Sequence, residues 1–261
     1  MTDPGCRPRI SGRAIPVEAP EGFRVIAHRG ASAYAPENTM AAFALAAQMG
    51  IGEIELDVRL TADRRVVVCH DRDLGRFGYP EIVIAEATLA ELKQLDLGSW
   101  FSPYHFRDEP LVTLDEVFDA FGGSFTYHVE LKVEADPNPL VAEVLAVIED
   151  HDLEDSVVLT SFSADALGEV MKRRPEARTT LLVRAGEATE EIFRTAASTG
   201  AALLGLSARD AEAGVVRTAR RFVGGVRAHG VKTWDDLFRV LDSGFDGTTL
   251  DWPDRVVVRQ S

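Results

Sequence analysis

Cysteine is almost missing. Cys6 and Cys69 are the only two in 261 residues, which excludes a disulfide framework and fits free thiols in a reducing cytoplasm. Long apolar runs are missing too. None approaches the ~20 residues that a membrane-spanning helix needs, so no integral membrane association is expected. The first residues, MTDPGCRPRISGRAIPVEAPEG, lack the apolar stretch of a secretory signal. Positive charge is in deficit: 28 Lys and Arg stand against 42 Asp and Glu, a net charge of −14. That balance argues against nucleic acid, whose binding rests on clustered Lys and Arg, and against an anionic membrane surface. No Gly-rich dinucleotide loop or P-loop follows the first strand, and CxxC and HExxH are absent.

What remains is an ordinary globular composition, 46% apolar and 27% charged, with enough hydrophobic residues to build a core. Residues 1–22 carry Pro, Gly and Arg without period and read as a flexible tail, or an arm lying on the body. From Phe23 onward short apolar strands alternate with amphipathic stretches. Strands are expected at Arg24–His28, Glu53–Val58, Val66–His70, Phe125–Leu131, Val157–Ser161, Thr180–Val183, Ala202–Leu206 and Val226–Val231. A last short extended piece runs from Gly247 to Asp251. Helical stripes separate most of them, and the first of these can be capped by Asn38 or Thr39. Repeated βα units imply a parallel sheet covered by helices. Eight of them fit a (β/α)8 TIM barrel, a single α/β domain over residues 23–261 with an excursion, 71–110, after the third strand and capping the barrel mouth. An open doubly wound sheet is the alternative.

Parity carries the chemical information, because side chains along a strand alternate between faces. In Glu53-Ile54-Glu55-Leu56-Asp57-Val58 one face is apolar and the other wholly acidic. In Val129-Glu130-Leu131-Lys132 the same alternation puts Glu130 and Lys132 opposite the apolar face. A barrel seals its outer face with helices, so Glu55, Asp57, Glu130 and Lys132 point into the lumen. Unpaired carboxylates there are costly unless a metal or a cation holds them. An edge hairpin with one wet face would also alternate, but both strands lie inside the βαβ series, where both faces are covered. Oxygen ligands suit Mg²⁺, Ca²⁺ or Mn²⁺ rather than zinc. His28 and His70 close strands near this cluster, as an acid and a base would.

These residues, in this order, resemble the glycerophosphodiester phosphodiesterases. The matching pieces are Ala27-His28-Arg29-Gly30-Ala31-Ser32, Ala35-Pro36-Glu37-Asn38-Thr39, Ile54-Glu55-Leu56-Asp57-Val58, His70-Asp71, Gly98-Ser99-Trp100-Phe101, Val129-Glu130-Leu131-Lys132, Thr160-Ser161-Phe162, Gly244-Phe245-Asp246-Gly247 and Asp251-Trp252-Pro253-Asp254. The resemblance implies a TIM-barrel hydrolase that splits a small-molecule glycerophosphodiester into an alcohol and glycerol 3-phosphate. It implies a divalent cation on Glu55, Asp57 and Glu130, an acid–base pair of His28 and His70, and Arg29 and Lys132 near the phosphate. The attacking oxygen is water or the substrate's own 2-hydroxyl, the latter giving a transient cyclic phosphate. A lysophospholipase D-type phosphodiesterase, or a barrel that binds metal or phosphate without turnover, are the alternatives.

One stretch departs from the family. Where a strand usually reads V-x-V-W-T-V-N, this chain has Val226-Arg227-Ala228-His229-Gly230-Val231-Lys232. His229 takes the tryptophan position and Lys232 the asparagine position. Drift at a wall position is one reading; added positive character for a more anionic substrate is the other. Glu37 is expected near the mouth, binding substrate, orienting Arg29 or simply starting the helix. Trp100 and Phe101 are expected at the mouth, touching the leaving group or packing the excursion. His128 is expected as a hydrogen-bonded core histidine.

Overall fold

A computed structural model describes residues 16–134 and 136–259. Parallel strands β1 (Arg24–His28), β2 (Glu53–Leu60), β3 (Thr126–Leu131), β4 (Val157–Ser161), β5 (Arg178–Leu182), β6 (Leu203–Ser207), β7 (Gly225–His229) and β8 (Gly247–Leu250) form one sheet. Each pairs with the next, and β8 and β2 both pair with β1, which closes the ring. Helices α1 (Met40–Gln48), α2 (Leu114–Phe121), α3 (Asn138–Asp150), α4 (Ala164–Arg173), α5 (Glu190–Ser198), α6 (Ala213–Ala219) and α7 (Trp234–Asp242) lie between the strands. Their starts are legible: Thr39, Thr113, Ser163, Thr189 and Thr233 each accept a hydrogen bond from a backbone N–H of the first turn. The architecture is the expected (β/α)8 barrel.

Val66–Val68 pairs with the ring without being part of it. It was expected as the third barrel strand, but it runs antiparallel to β2, with Val58 opposite Val68 and Leu60 opposite Val66. Residues 61–65 make a turn, and a parallel crossover needs a dozen residues or more. The eighth barrel strand is therefore β8, and the excursion follows β2. It has a small core of its own, in which Val67, Cys69, Leu74, Ile84, Leu92, Leu97 and Leu111 pack together.

The expected tail is only partly described, since residues 1–15, Cys6 among them, lie outside the described residues. Val17–Ala19 is a strand paired in parallel with Val256–Val258, so this part is an arm on the body. Cys69 is a free, buried thiol. Burial pushes its pKa up to about 12, which keeps it an inert thiol. Among the described residues no helix is long and apolar enough to cross a membrane.

The outer faces follow the parity rule. Ile54, Leu56, Val58, Val129 and Leu131 are buried in one cluster with Phe43, Val117 and Val141 of the helices. Their neighbours Glu55, Asp57 and Glu130 are equally buried but face the lumen.

Candidate active site

Strand register brings the lumen acids together. Asp57 lies opposite Glu130 across the β2–β3 pair, and His28 opposite Glu55 across β1–β2. One carboxylate oxygen from each of Glu55, Asp57 and Glu130 lies within 4.8 Å of the others. Two cations press on the cluster. Arg29 Nε is 3.0 Å from Asp57 Oδ2. Lys132 Nζ is 3.1 Å from Asp57 Oδ1 and donates to Glu130 Oε1 at 2.6 Å. Asn38 Nδ2 donates to Asp57 Oδ2 at 2.9 Å.

Three carboxylates against two cations leave one negative charge in a buried place. Burial and the charges of Asp57 and Glu130 push the Glu55 pKa well up. Asp57 is also buried, but Arg29 and Lys132 overcome that and hold its pKa below the usual carboxylate range. Burial works against the charge on Lys132 and Arg29, yet the surrounding carboxylates raise both. Asp57 Oδ1 is buried without accepting a hydrogen bond. An all-oxygen set with surplus negative charge, whose Asp57 Oδ1 has an ion pair to Lys132 but accepts no hydrogen bond, fits a hard divalent cation.

The loop after β1 is shaped for this. Arg29 adopts φ 57°, a left-handed conformation uncommon for a residue with a side chain. In it the Arg29 backbone N–H donates to Glu55 Oε2 at 3.0 Å. Gly30 follows at φ 80°, where a Cβ would sit 2.7 Å from Ala42 of α1. Only glycine lets the turn approach the helix so closely.

Both expected histidines reach the mouth. His28 Nδ1 donates to Asp251 Oδ1 at 2.6 Å, leaving Nε2 on the side of Glu55, 3.9 Å away. Burial, with the nearby Arg29 charge, lowers the His28 pKa. His70 lies just past Val66–Val68 and is pinned to the end of β2. Cys69 N–H donates to the Asp57 carbonyl at 2.9 Å, and Arg59 Nε and Nη2 donate to the His70 carbonyl at 3.0 and 2.8 Å. His70 Nδ1 donates to Asp71 Oδ1 at 2.7 Å. Each histidine thus has its Nδ1–H fixed by a carboxylate, and its Nε2 is free for proton transfer. They line one cavity of about 230 Å³, together with Arg29, Glu55, Glu130, Lys132, Arg227 and His229.

Glu37 orients rather than lines. It accepts from Arg29 Nη1 at 2.7 Å and from Arg76 Nη2 at 2.8 Å. Arg76 Nε also donates to Asp71 Oδ2 at 2.7 Å. Arg29, Glu37, Arg76, Asp71 and His70 therefore form one continuous network. Of the two readings of Trp100 and Phe101, contact with the leaving group or packing of the excursion, their contacts support the second, and neither is among the residues lining the cavity. Trp100 stacks edge-on against Phe77 and Phe101 and lies under the Arg76 guanidinium, 5.0 Å from its ring centre. Trp100 Nε1 also donates to the Leu97 carbonyl at 2.8 Å, a further contact within the excursion.

His229 does line the cavity. Its Nε2 donates to the Val183 carbonyl at 2.9 Å, and burial pushes its pKa down to about 4. It is uncharged at neutral pH. Lys232 is an exposed partner of Asp251 at 3.0 Å. Neither supplies free positive charge, which favours drift at a wall position over the reading of added positive character. Asp251 and Arg227 were missed as site residues. Parity in Val226-Arg227-Ala228-His229, read as for Glu130, would have found Arg227.

His128 is the expected core histidine, donating from Nε2 to Glu53 Oε2 at 2.8 Å. Burial pushes its pKa from the ordinary 6.5 down to about 4. Between those values the unfolded chain takes up a proton that the native state refuses. Stability should therefore fall as the pH drops from 6.5 towards 4, by about 1.4 kcal/mol per pH unit for such a histidine. His128→Gln should flatten the decline by one proton in urea titrations at several pH values; an unchanged slope would show that His128 titrates normally.

A closed parallel barrel with a buried carboxylate cluster, two carboxylate-held histidines and cations at the strand ends defines a hydrolase working on an anionic phosphoric diester. The glycerophosphoryl diester phosphodiesterase family profile matches residues 28–255, and the chain belongs to that family. A glycerophosphodiester phosphodiesterase of Bacillus subtilis is 31% identical over 90% of this chain and 86% of its own length. One of Caldanaerobacter subterraneus is 33% identical over 89% of this chain and 96% of its own. The solved structure of an Oleispira antarctica phosphodiesterase, in complex with the product sn-glycerol-3-phosphate, is 29% identical with a TM-score of 0.79, covering 89% of this chain and 94% of that one.

Proposed function

We propose that this enzyme hydrolyses glycerophosphodiesters to an alcohol and sn-glycerol 3-phosphate, with Glu55, Asp57 and Glu130 holding one divalent cation, Mg²⁺, Ca²⁺ or Mn²⁺, and with His28 and His70 moving the protons. The convergence of those three carboxylates beside two histidines with free Nε2 atoms is the observation that carries this reading. The product held by the Oleispira antarctica relative supports the substrate class.

Bound there, the cation supplies Lewis-acid neutralisation of charge at the phosphoryl oxygens. Arg29 and Lys132 add fixed positive charge where the transition state gathers negative charge. His28, whose charged form is disfavoured by burial, accepts the proton of the attacking oxygen at Nε2. Asp251 steadies the imidazolium that forms. Burial opposes its charge, but the hydrogen bond from His28 and the charges of His28 and Lys232 keep its pKa low. His70, steadied by Asp71, gives a proton to the departing alkoxide, a poor leaving group without one.

Glycerophosphocholine incubated with the purified enzyme and Mg²⁺, Ca²⁺ or Mn²⁺ should release choline and glycerol 3-phosphate. Faster turnover of lysophosphatidylcholine would instead favour lysophospholipase D activity. Cation binding without release from either substrate would leave only a binding barrel.

A further inference from the structure

Arg29, Lys132 and Arg227 are the arginines and lysines lining the mouth cavity. Arg29 is engaged by Glu37 and Asp57, and Lys132 by Asp57 and Glu130. Arg227 differs. It is only 5% exposed. Its Nε is buried without a hydrogen-bond partner, and its guanidinium forms no ion pair with any described residue. Glu55, Glu130 and Glu53 favour its charge from a distance, yet burial outweighs them. No carboxylate of the described residues touches it, so the place of a contacting partner is left to a ligand.

Its place says what could supply one. Arg227 also lines a second cavity, of about 290 Å³, with Arg24, His128 and Asp246. Lining both, it stands between them and forms the floor of the mouth cavity. β7 is diametrically across the ring from β3, which carries Glu130 and ends beside Lys132. On the reading above, the phosphoryl group binds beside Glu55 and Asp57 of β2 and Glu130 of β3, and a substituent that extends across the lumen from there meets β7. His229 stands two residues nearer the rim on the same face. With its Nε2–H given to Val183, its Nδ1 is left as an acceptor for a hydroxyl.

We propose that Arg227 and His229 form a subsite for a hydroxy acid, Arg227 taking the carboxylate in its two-pronged fork and His229 the adjacent hydroxyl. The preferred substrates are then phosphodiesters whose barrel-side alcohol is a glycerate rather than glycerol. This rests on the phosphodiesterase reading above and deepens it. A guanidinium matches a carboxylate bidentately, and the match strengthens where water is excluded.

Two product analogues test the idea by binding alone. sn-Glycerol 3-phosphate and 3-phosphoglycerate share the phosphate and differ at the far carbon, hydroxymethyl in one and carboxylate in the other. In calorimetric titrations of the cation-loaded enzyme, 3-phosphoglycerate should bind at least ~10-fold tighter. Arg227→Met should bring the two affinities together. Arg227→Lys, which keeps the charge and the stem, should retain part of the preference and guards against a misfolded Met variant. Equal binding to the wild type overturns the proposal. So does a preference that survives in Arg227→Met, which would assign the carboxylate to the cation, or an equal loss for both ligands, which would assign Arg227 to the phosphate. Glycerophosphocholine turnover on the same preparation keeps the two questions apart: turnover alongside equal binding of the two analogues would leave the hydrolytic reading standing and overturn the carboxylate subsite.

Discussion

Replacing His28 or His70 by alanine should lower kcat on glycerophosphocholine by about 10³-fold each, within the range by which positioned acids and bases accelerate proton transfers. At about 4 kcal/mol of transition-state free energy, the loss dwarfs any structural effect, because neither ring belongs to the barrel core. Asp251 keeps Lys232 at 3.0 Å when the His28 ring is gone, and Asp71 keeps Arg76 at 2.7 Å when the His70 ring is gone. Both variants should therefore melt near the wild-type temperature and bind the cation with near wild-type affinity. Activity within tenfold of wild type would remove that histidine from the chemistry. Lost cation binding would make it a ligand instead.

The second large effect belongs to the carboxylates. Glu55→Gln keeps the size and an acceptor for the Arg29 backbone N–H but removes one negative charge from the cluster. The cation concentration for half-maximal activity should rise by about 100-fold, since changes even to groups that merely support a metal's ligands cost 10–100-fold. A chelator should abolish wild-type turnover and added cation restore it. An unchanged cation titration in Glu55→Gln would exclude Glu55 as a ligand.

Much of this was legible in the chain because strand parity is a local property. Glu55 and Asp57 declare themselves within six residues, and Glu130 and Lys132 within four. What was not legible depends on closure. Asp251 meets His28 across 223 residues of sequence, only because β8 returns to pair with β1. Val66–Val68 looks like any buried strand, and only the short turn before it forbids a parallel place. The aromatic group at Trp100 and Phe101 announced a packed excursion, but its composition does not say which surface it seals. Arg227 was open to the same parity reading as Glu130. The structure places the unpaired positive charge there rather than at His229 or Lys232.

Everything proposed for catalysis turns on one ion among Glu55, Asp57 and Glu130. Crystals grown with Mn²⁺, with diffraction recorded at the manganese absorption edge, locate it without any assay. A single anomalous peak coordinated by oxygens of these three side chains is the expected result. A peak elsewhere, or none at the cluster under saturating Mn²⁺, would contradict it.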